Sequence, residues 1–162
     1  MKKNKLEKRM YFLVLYSLSG IQKGIQSLHA QVEYALKYGK DKNYKEWASK
    51  YKTVILLNGG TSCETHIAKI GTATGTMEQH LKMLKQNNIK CAEFHEPDLN
   101  HSMSAIAFLV DERVFDKEKY PLQVEEEFYP HLLTAEIIML EKLHGGKQNL
   151  FLRQFLRNFK LA

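Results

Sequence analysis

The chain has 162 residues, and 24 lysines and arginines against 18 aspartates and glutamates give it a formal net charge of +6. This length suits one domain with a substantial core, and no apolar run reaches the roughly 20 residues of a membrane span. The basic balance favours anionic partners such as RNA or nucleotides, although much of the excess lies at the two ends. Cys63 and Cys91 lack metal-site or disulfide-framework spacing. Since the start also lacks a signal-peptide pattern, we expect a cytoplasmic protein without metal or cofactor.

The first part of the chain predicts a buried strand that leads directly into a long helix. Residues 11–16 form an apolar run after a basic lead-in at residues 1–9. Ser19 and Gln22 follow with the spacing of a capping box, so the helix should run from there to about Tyr38. One face of this helix is apolar and is expected to pack on a sheet. It consists of Ile21, Ile25, Leu28, Val32, Ala35 and Leu36.

A neighbouring face of the same helix is polar. It carries Gln22, Gln26, His29 and Glu33 at helical spacing. Because the helix starts at the carboxyl end of a strand, this face should border the crevice where α/β sheets bind ligands. Glutamine amides can hold a ligand through their donors and acceptors. Helix capping by Gln22 and a structural role for His29 are the alternatives.

The middle of the chain predicts a strand at residues 53–57, preceded by a short segment that contains Trp47. The turn at 58–62 is rich in glycine, and its backbone amides could cradle a phosphate. A plain loop start is the alternative, because residues 58–75 resemble one long loop. Thr76 should cap the next helix, with Gln79 completing a second capping box. The inner face of this helix is expected to hold Met77, Leu81, Met83 and Leu84.

A polar loop separates two further predicted strands, at residues 90–95 and 104–110. An aspartate near a histidine can form a general-base pair, whereas turn formation alone would explain Asp98 and Asn100. The element order is strand, helix, strand, helix, strand, strand, which is typical of an α/β domain with helical crossovers. The polar side chains of the loop are Glu96, Asp98, Asn100, His101 and Ser102.

The composition changes after Asp111, so we expect a domain at 1–111 and a C-terminal helical extension at 112–162. A long helix at 122–144 should be kinked at Pro130 and end at Gly145 and Gly146. A last amphipathic helix at 149–160 should pack on the domain or on a second subunit, with Arg153, Arg157 and Lys160 in solvent. The apolar stripe of the long helix comprises Val124, Phe128, Leu132, Ala135, Ile138 and Met139.

Three places in residues 10–111 resemble the archaeal and eukaryotic type of peptidyl-tRNA hydrolase. Residues 22–30 are similar to that family's Gly-Lys-x-Ala-Ala-Gln-x-x-His-Ala helix. Trp47 precedes a buried strand, as in the family. Residues 98–102 are similar to the family's Asp-Ala-Gly-Arg-Thr motif, which also enters a final strand.

The resemblance implies a small mixed four-stranded sheet flanked by helices, commonly dimeric. It implies cofactor-free hydrolysis of the ester between a peptide and the tRNA 3′ ribose. By position, Gln26, Asp98 and Ser102 take the places of the family's functional Gln, Asp and Thr, and His101 replaces its Arg. The functional lysine falls on Gln22, with Lys23 beside it. A neutral amide is a weaker oxyanion stabiliser than a lysine.

We therefore hold three hypotheses. The first is a peptidyl-tRNA hydrolase-like enzyme, and the second is a protein that binds, sequesters or degrades a small nucleotide, including cyclic signal nucleotides, in the same cleft. The third is an RNA or protein interaction module that uses the C-terminal helices. We expect tRNA or a nucleotide as partner, a homodimer and no membrane contact, and the small basic chain would suit a phage protein. The candidate catalytic residues are Gln26, His29, Asp98, His101 and Ser102. The candidate substrate-binding residues are Gln22, Lys23, Asn58, Gly59, Gly60 and Asn100.

Overall fold

The computed structural model describes residues 6–63, 75–122 and 134–162, and it has the predicted α/β fold. The four strands are β1 (Lys8–Leu15), β2 (Val54–Gly60), β3 (Cys91–Glu96) and β4 (Ser102–Asp111). They form one mixed sheet in the order β2-β1-β4-β3. β1 is parallel to β2 and antiparallel to β4, which is antiparallel to β3.

Six α-helices lie in the described part of the chain: α1 (Gly20–Tyr38), α2 (Lys42–Glu46), α3 (Thr76–Gln86), α4 (Glu112–Phe115), α5 (Thr134–His144) and α6 (Lys147–Phe155). A π-helical turn, Trp47–Tyr51, follows α2, and 3-10 turns occupy Pro97–Leu99 and Leu156–Asn158. The capping box predicted at the start of α1 is present. Within the described residues, no helix is both long and apolar enough to cross a membrane.

The sheet is buried on both faces, which explains the continuous apolar run in β1. Met10, Phe12 and Val14 point into a core shared with α1 and Trp47. The intervening Tyr11 and Leu13 point to the other side. There the second core receives side chains from α3, α4 and α6: Met77, Leu81, Leu84, Val114, Leu152 and Phe155.

The predicted packing of α1 is wrong, because the helix turns its apolar face outward. Ile21, Ile25, Leu28, Val32 and Leu36 are between 47% and 79% exposed. The face that meets the sheet holds Gln26, Ser27, Ala30 and Tyr34. The sheet surface in the same core is lined by alanines, Ala92, Ala105 and Ala107. Small residues permit a close approach of helix to sheet, and partners on the sheet satisfy the amide of Gln26.

The C-terminal helices differ from expectation in the same way. Ala135, Ile138 and Met139, predicted to face inward, are exposed, whereas Leu140 and His144 are buried. Arg153 was predicted in solvent, but it is only 3% exposed. Its guanidinium donates to two backbone carbonyls, those of Arg113 (2.7 Å) and Tyr120 (2.9 Å). The predicted positions Val124, Phe128, Pro130 and Leu132 lie outside the described residues.

Two segment boundaries also need correction. Lys8 and Arg9 belong to β1 rather than to a solvated lead-in, and Lys8 is buried with an ion pair to Glu46 (3.1 Å). β2 continues through Gly60, where a loop was expected, and most of that predicted loop, residues 64–74, lies outside the described residues.

On α3, Met83 was predicted to face inward but is 42% exposed.

Thr76 does not cap α3, because the N-cap is Gly75 and no side chain caps the helix. The Thr76 hydroxyl instead donates to the Gly59 carbonyl (3.0 Å) and accepts from the Thr61 amide (2.8 Å). The hydroxyl therefore ties the start of α3 to the end of β2.

The C-terminal segment contributes directly to the sheet and its core. Leu152 and Phe155 of α6 share a core cluster with Phe108 of β4. The last residues run beside β2, with a bridge between Leu57 and Leu161. These contacts make residues 147–162 part of the same packed unit as the sheet.

Candidate functional site

The segments that resemble the hydrolase family meet at one end of the sheet. The carboxyl end of β1 pairs with that of β2 through Leu15 and Gly60, and it pairs with the start of β4 through Val14 and Ala105. β3 reaches the same end, where it turns into β4. Since α1 begins directly after β1, its first turns and the turn between β3 and β4 border one region.

Gln26 links these two segments through a buried polar chain. Its amide nitrogen donates to the Glu96 carboxylate (2.5 Å), and its amide oxygen accepts from the Ser104 hydroxyl (2.7 Å). Ser104 is fully buried and also lies 3.3 Å from the Phe94 carbonyl. Gln26 is 6% exposed. Its amide therefore first serves to hold α1 against β3 and β4.

The polar face of α1 points towards β3. The exposed His29 ring stacks on Phe94 with 4.6 Å between ring centroids and 21° between planes. Near the C-terminal end of α1, Lys37 forms an ion pair with Glu93 (3.4 Å). Burial acts to raise the pKa of Glu93, but its hydrogen bond to Lys85 and the nearby Lys37 outweigh this and lower it. The polar face thus lies over strand β3.

The turn at residues 96–102 has a defined backbone. Asn100 and His101 both adopt left-handed conformations, with φ of 53° and 58°. The His101 amide donates to the Glu96 carbonyl (3.0 Å), and the His101 carbonyl lies 2.9 Å from Nδ1 of His95. Asp98, Asn100 and His101 are exposed, and Ser102 is half-buried. The turn therefore presents a carboxylate, an amide and an imidazole to solvent.

Gln22 and Lys23 lie at the start of α1. The exposed Gln22 side chain accepts from the Ser19 amide (3.0 Å), and the Ser19 hydroxyl accepts from the Gln22 amide (3.3 Å). Gln22 thus caps the helix, which was the alternative to ligand binding for this residue. Lys23 is half-buried.

The glycines at the end of β2 are packed rather than open. The Gly60 amide donates to the Asn58 side chain (2.9 Å), and the Cys63 amide donates to the Glu78 carboxylate (3.2 Å). A Cβ added at Gly59 would lie 2.2 Å from the sulfur of Met77. Because these amides are engaged and a carboxylate lies beside them, the geometry argues against a phosphate cradle. We leave Asn58, Gly59 and Gly60 out of the proposed site.

The sequence did not predict that Ser104 and Glu96 would contact Gln26. In the sequence, Ser104 begins a predicted apolar strand, and Glu96 is one of several polar residues in a predicted loop. The available signal was a hydroxyl at the start of a buried strand, since a buried hydroxyl needs a partner. The sequence does not show that this partner is Gln26, which lies 78 residues away.

The opposite end of the sheet contains a polar cavity of about 450 Å³. The charged side chains that line it are paired, Lys90 with Asp41 (2.5 Å) and Arg113 with Asp111 (2.7 Å). Burial acts to raise the pKa of Asp111, but hydrogen bonds from Arg113 and Asn149 outweigh this and lower it. These pairings give the cavity a structural role.

Neither a protein-family model nor a curated protein matches this sequence. Among the described residues, no group of three or more histidine, cysteine, aspartate or glutamate side chains could hold a metal ion. Both cysteines, Cys63 and Cys91, are free thiols. The geometry at the end of the sheet is therefore the basis for a functional proposal.

Proposed function

We propose that this chain is a cytoplasmic hydrolase of the peptidyl-tRNA hydrolase type, which cleaves an ester at the 3′ end of an RNA or nucleotide substrate. One observation supports this most directly. The hydrogen bond from Gln26 to Glu96 joins the first segment that carries the resemblance to the end of β3, two residues before the second segment, although the two bonded residues are 70 residues apart in sequence. A site assembled from these segments would lie where α/β folds usually bind ligands.

In this proposal Asp98 activates the attacking water, with His101 nearby in the same turn. The exposed carboxylate of Asp98 is open to both water and substrate. Gln26 and Ser102 would hold the ester and ribose, and Lys23 would meet a phosphate. Glu96 is a positioning residue, because its carboxylate accepts the Gln26 amide.

The direct test is release of the amino acid from an N-blocked aminoacyl-tRNA. We expect Asp98→Asn to lower kcat by a factor of about 10² or more, the usual contribution of general acid–base catalysis. Glu118→Gln is the matched control, because Glu118 is an exposed carboxylate outside this turn. It should leave kcat unchanged. If the unmodified protein released no amino acid at stoichiometric concentration, the proposal would be rejected.

Gln22→Lys tests the departure from the family at the helix start. A lysine there would add a positive charge next to a developing oxyanion, so we expect kcat to rise. The same change removes the Gln22 half of the capping box and should lower helix stability, although the Ser19 cap remains. A variant that folds but gains no activity would show that the oxyanion lies elsewhere.

Nucleotide binding is the second candidate, and the His29 and Phe94 stack favours it. The exposed His29 ring lies flat on Phe94, which makes it a platform on which a base could stack. The neutral Gln22 amide also suits recognition better than catalysis. The protein would then sequester or degrade a small nucleotide.

Calorimetric titration with a panel of linear and cyclic nucleotides tests this second candidate. We expect at least one Kd below about 100 μM, near −5.5 kcal/mol. His29→Ala should weaken it by about 10-fold, because base stacking contributes about 1–3 kcal/mol. Gln154→Ala, at an exposed position of α6 outside the candidate site, is the control. If no nucleotide binds, the candidate fails, and unchanged nucleotide after binding identifies a sequestering protein.

A further inference from the structure

A groove of about 440 Å³ lies on the face of the sheet that α1 covers. One of its walls is α1, and the other is the π-helical turn Trp47–Tyr51. Phe12 of β1 and Leu56 of β2 line the groove from the side of the sheet. The groove therefore occupies the gap that the two covering elements leave above β1 and β2. Its volume falls in the range of small-molecule sites, about 300–1,000 Å³.

The lining of the groove is mainly apolar. Trp47 is 6% exposed, and its indole nitrogen donates to the Thr53 carbonyl (2.9 Å). The only polar atom of the indole is thus satisfied within the protein, so the ring offers the groove an apolar surface. Leu28 and Val54, which are 62% and 49% exposed, also line the groove. An apolar ligand would remove these surfaces from water, which is favourable.

Gly24 keeps the groove open on the side of α1. It lies inside the helix, where glycine is less favourable than alanine. A Cβ added at Gly24 would meet none of the described residues within 4 Å beyond the backbone of its own helix, so close packing does not require a glycine here. Gly24, Leu28 and Gln31 line the groove over two turns of α1, about 11 Å. The missing side chain therefore leaves space for an elongated ligand.

Lys52 supplies the charge of the groove. Among the described residues that line it, no other side chain is charged. Lys52 is exposed and ends the π-helical turn in a left-handed conformation, with φ of 57°. This conformation is costly for most residues other than glycine, and here the Lys52 amide donates to the Trp47 carbonyl (3.0 Å). The turn therefore holds a cation at the groove, which suits a ligand with one negative charge.

The directions of the helix and strands define the polar end of the groove. β1, β2 and β3 run in one direction, and α1 runs against them, because its contacts move from Glu96 back to Glu93 along β3. Gln31, in the second half of α1, therefore lies towards the start of β2, which Lys52 precedes by two residues. The Gln31 amide donates one hydrogen to the Tyr44 hydroxyl (2.7 Å) and retains a second. A carboxylate at this end would accept from both Lys52 and Gln31.

We propose that this groove binds an aliphatic monocarboxylate of the fatty-acid type, with its carboxylate at Lys52 and its chain extended towards Gly24. The single cation matches one anionic group, and the remaining lining matches a hydrocarbon chain. A nucleotide fits the groove poorly, since its polar groups would lose hydrogen bonds to water against apolar walls. The groove lies on the β2 side of α1, whereas Gln26 contacts β3 and β4. It is therefore separate from the proposed hydrolase site.

Titration of the full chain with octanoate, followed by the fluorescence of Trp47, tests the proposal. Trp47 is the single tryptophan of the chain and lines the groove, so its emission reports whether the groove is occupied. We expect a saturable change with a Kd below about 1 mM. The absence of a saturable change up to about 10 mM octanoate would overturn the proposal.

Gly24→Leu tests the shape of the groove. The added side chain would fill the space beside α1, so the Kd for octanoate should rise by about 10-fold or more. Leucine is a better helix former than glycine, and circular dichroism should show an intact fold. Gly20→Leu is the matched control, because Gly20 also faces open space but lies outside the groove. Equal effects of the two substitutions on the Kd would overturn the proposal.

Lys52→Asn tests the charge. Asparagine tolerates the left-handed conformation, so the turn should persist while the cation is lost, and the Kd for octanoate should rise by about 10-fold or more. Lys50→Asn is the control, because Lys50 is an exposed lysine of the same turn outside the groove, and it should leave the Kd unchanged. A Lys52→Asn variant that binds octanoate as tightly as the unmodified chain would contradict the placement of the carboxylate.

Discussion

At the scale of single residues, Gln26 shows how one side chain can serve the fold and keep hydrogen-bonding capacity for a ligand. Both of its amide atoms are engaged within the fold, with Glu96 on one side and Ser104 on the other. An amide retains a second donor hydrogen and a second lone pair after these bonds. Gln26 can therefore hold α1 in register on the sheet and still offer one hydrogen bond to a ligand.

We expect Ser104→Ala to lower the free energy of unfolding by about 1–3 kcal/mol, because it leaves the buried Gln26 amide oxygen without its donor. Gln26→Ala should cost at least as much, since it deprives both Ser104 and Glu96 of a partner. Urea unfolding measures both changes. Gln154→Ala, at an exposed position of α6, is the control and should change little. Equal effects of all three substitutions would contradict the buried chain.

Two histidines make stability depend on pH. Burial lowers the pKa of His80 from 6.5, and burial together with the positive charges of Arg153 and Arg113 lowers that of His144. Both histidines therefore bind protons more readily in the unfolded chain. The folded state keeps its full stability above the unfolded pKa of 6.5 and loses stability as the pH falls below it.

Between pH 6.5 and 5 we expect the free energy of unfolding to fall by up to about 1.4 kcal/mol per pH unit for each histidine. Urea unfolding at several pH values provides the measurement. His144→Asn should flatten this dependence, whereas Gln154→Asn, at an exposed position of α6, should not. If His144→Asn left the pH dependence of the free energy of unfolding unchanged, groups other than His144 would be responsible for it.

At the scale of elements, the helices show what periodicity can and cannot predict. The position of α1 and its capping box follow from local sequence, because a cap satisfies backbone donors within the same helix turn. The local sequence does not determine whether the apolar face of α1 meets the sheet or solvent. Periodicity shows only that the apolar residues share one face of the helix. The same holds for α5, whose Ile138 and Met139 were expected to face inward but are exposed.

The last helix is an element on which the whole core depends. Phe155 is 4% exposed and packs with Phe108, Phe151 and Phe159. Phe155→Ala should lower the free energy of unfolding by about 3–5 kcal/mol, the usual cost of such a cavity. Leu143→Ala, at a site 48% exposed on α5, is the control and should cost far less. A loss below about 1 kcal/mol, typical of a surface site, would show that α6 is only loosely attached.

At the scale of the molecule, the C-terminal region and the sheet form one packed unit. The Asn58 amide donates to the Lys160 carbonyl (2.9 Å), and the Ala162 amide donates to the Leu56 carbonyl (3.1 Å). Removing residues 147–162 should therefore unfold the protein, because the deletion exposes the core face of the sheet. Circular dichroism of the truncated chain measures this outcome. A folded truncated chain would instead favour the hypothesis that the C-terminal helices form an interaction module.

The sequence by itself determined the class of fold, the order of the elements and most of their bounds. These follow from local physics: apolar runs, helix caps and glycine stops act over a few residues. The resemblance to the hydrolase family also implied that the start of α1 and the turn before β4 belong together, because the family's functional residues come from both segments.

Only the tertiary structure decided which side of α1 is buried and which residues join the two segments. The Gln26 contacts to Glu96 and Ser104 span 70 and 78 residues, and no local pattern encodes such a pairing. The structure likewise showed that the glycines at the end of β2 pack closely against Thr76 and Met77. Side-chain partners far apart in sequence are chosen by how strands and helices stack, which is a property of the assembled sheet rather than of any one segment.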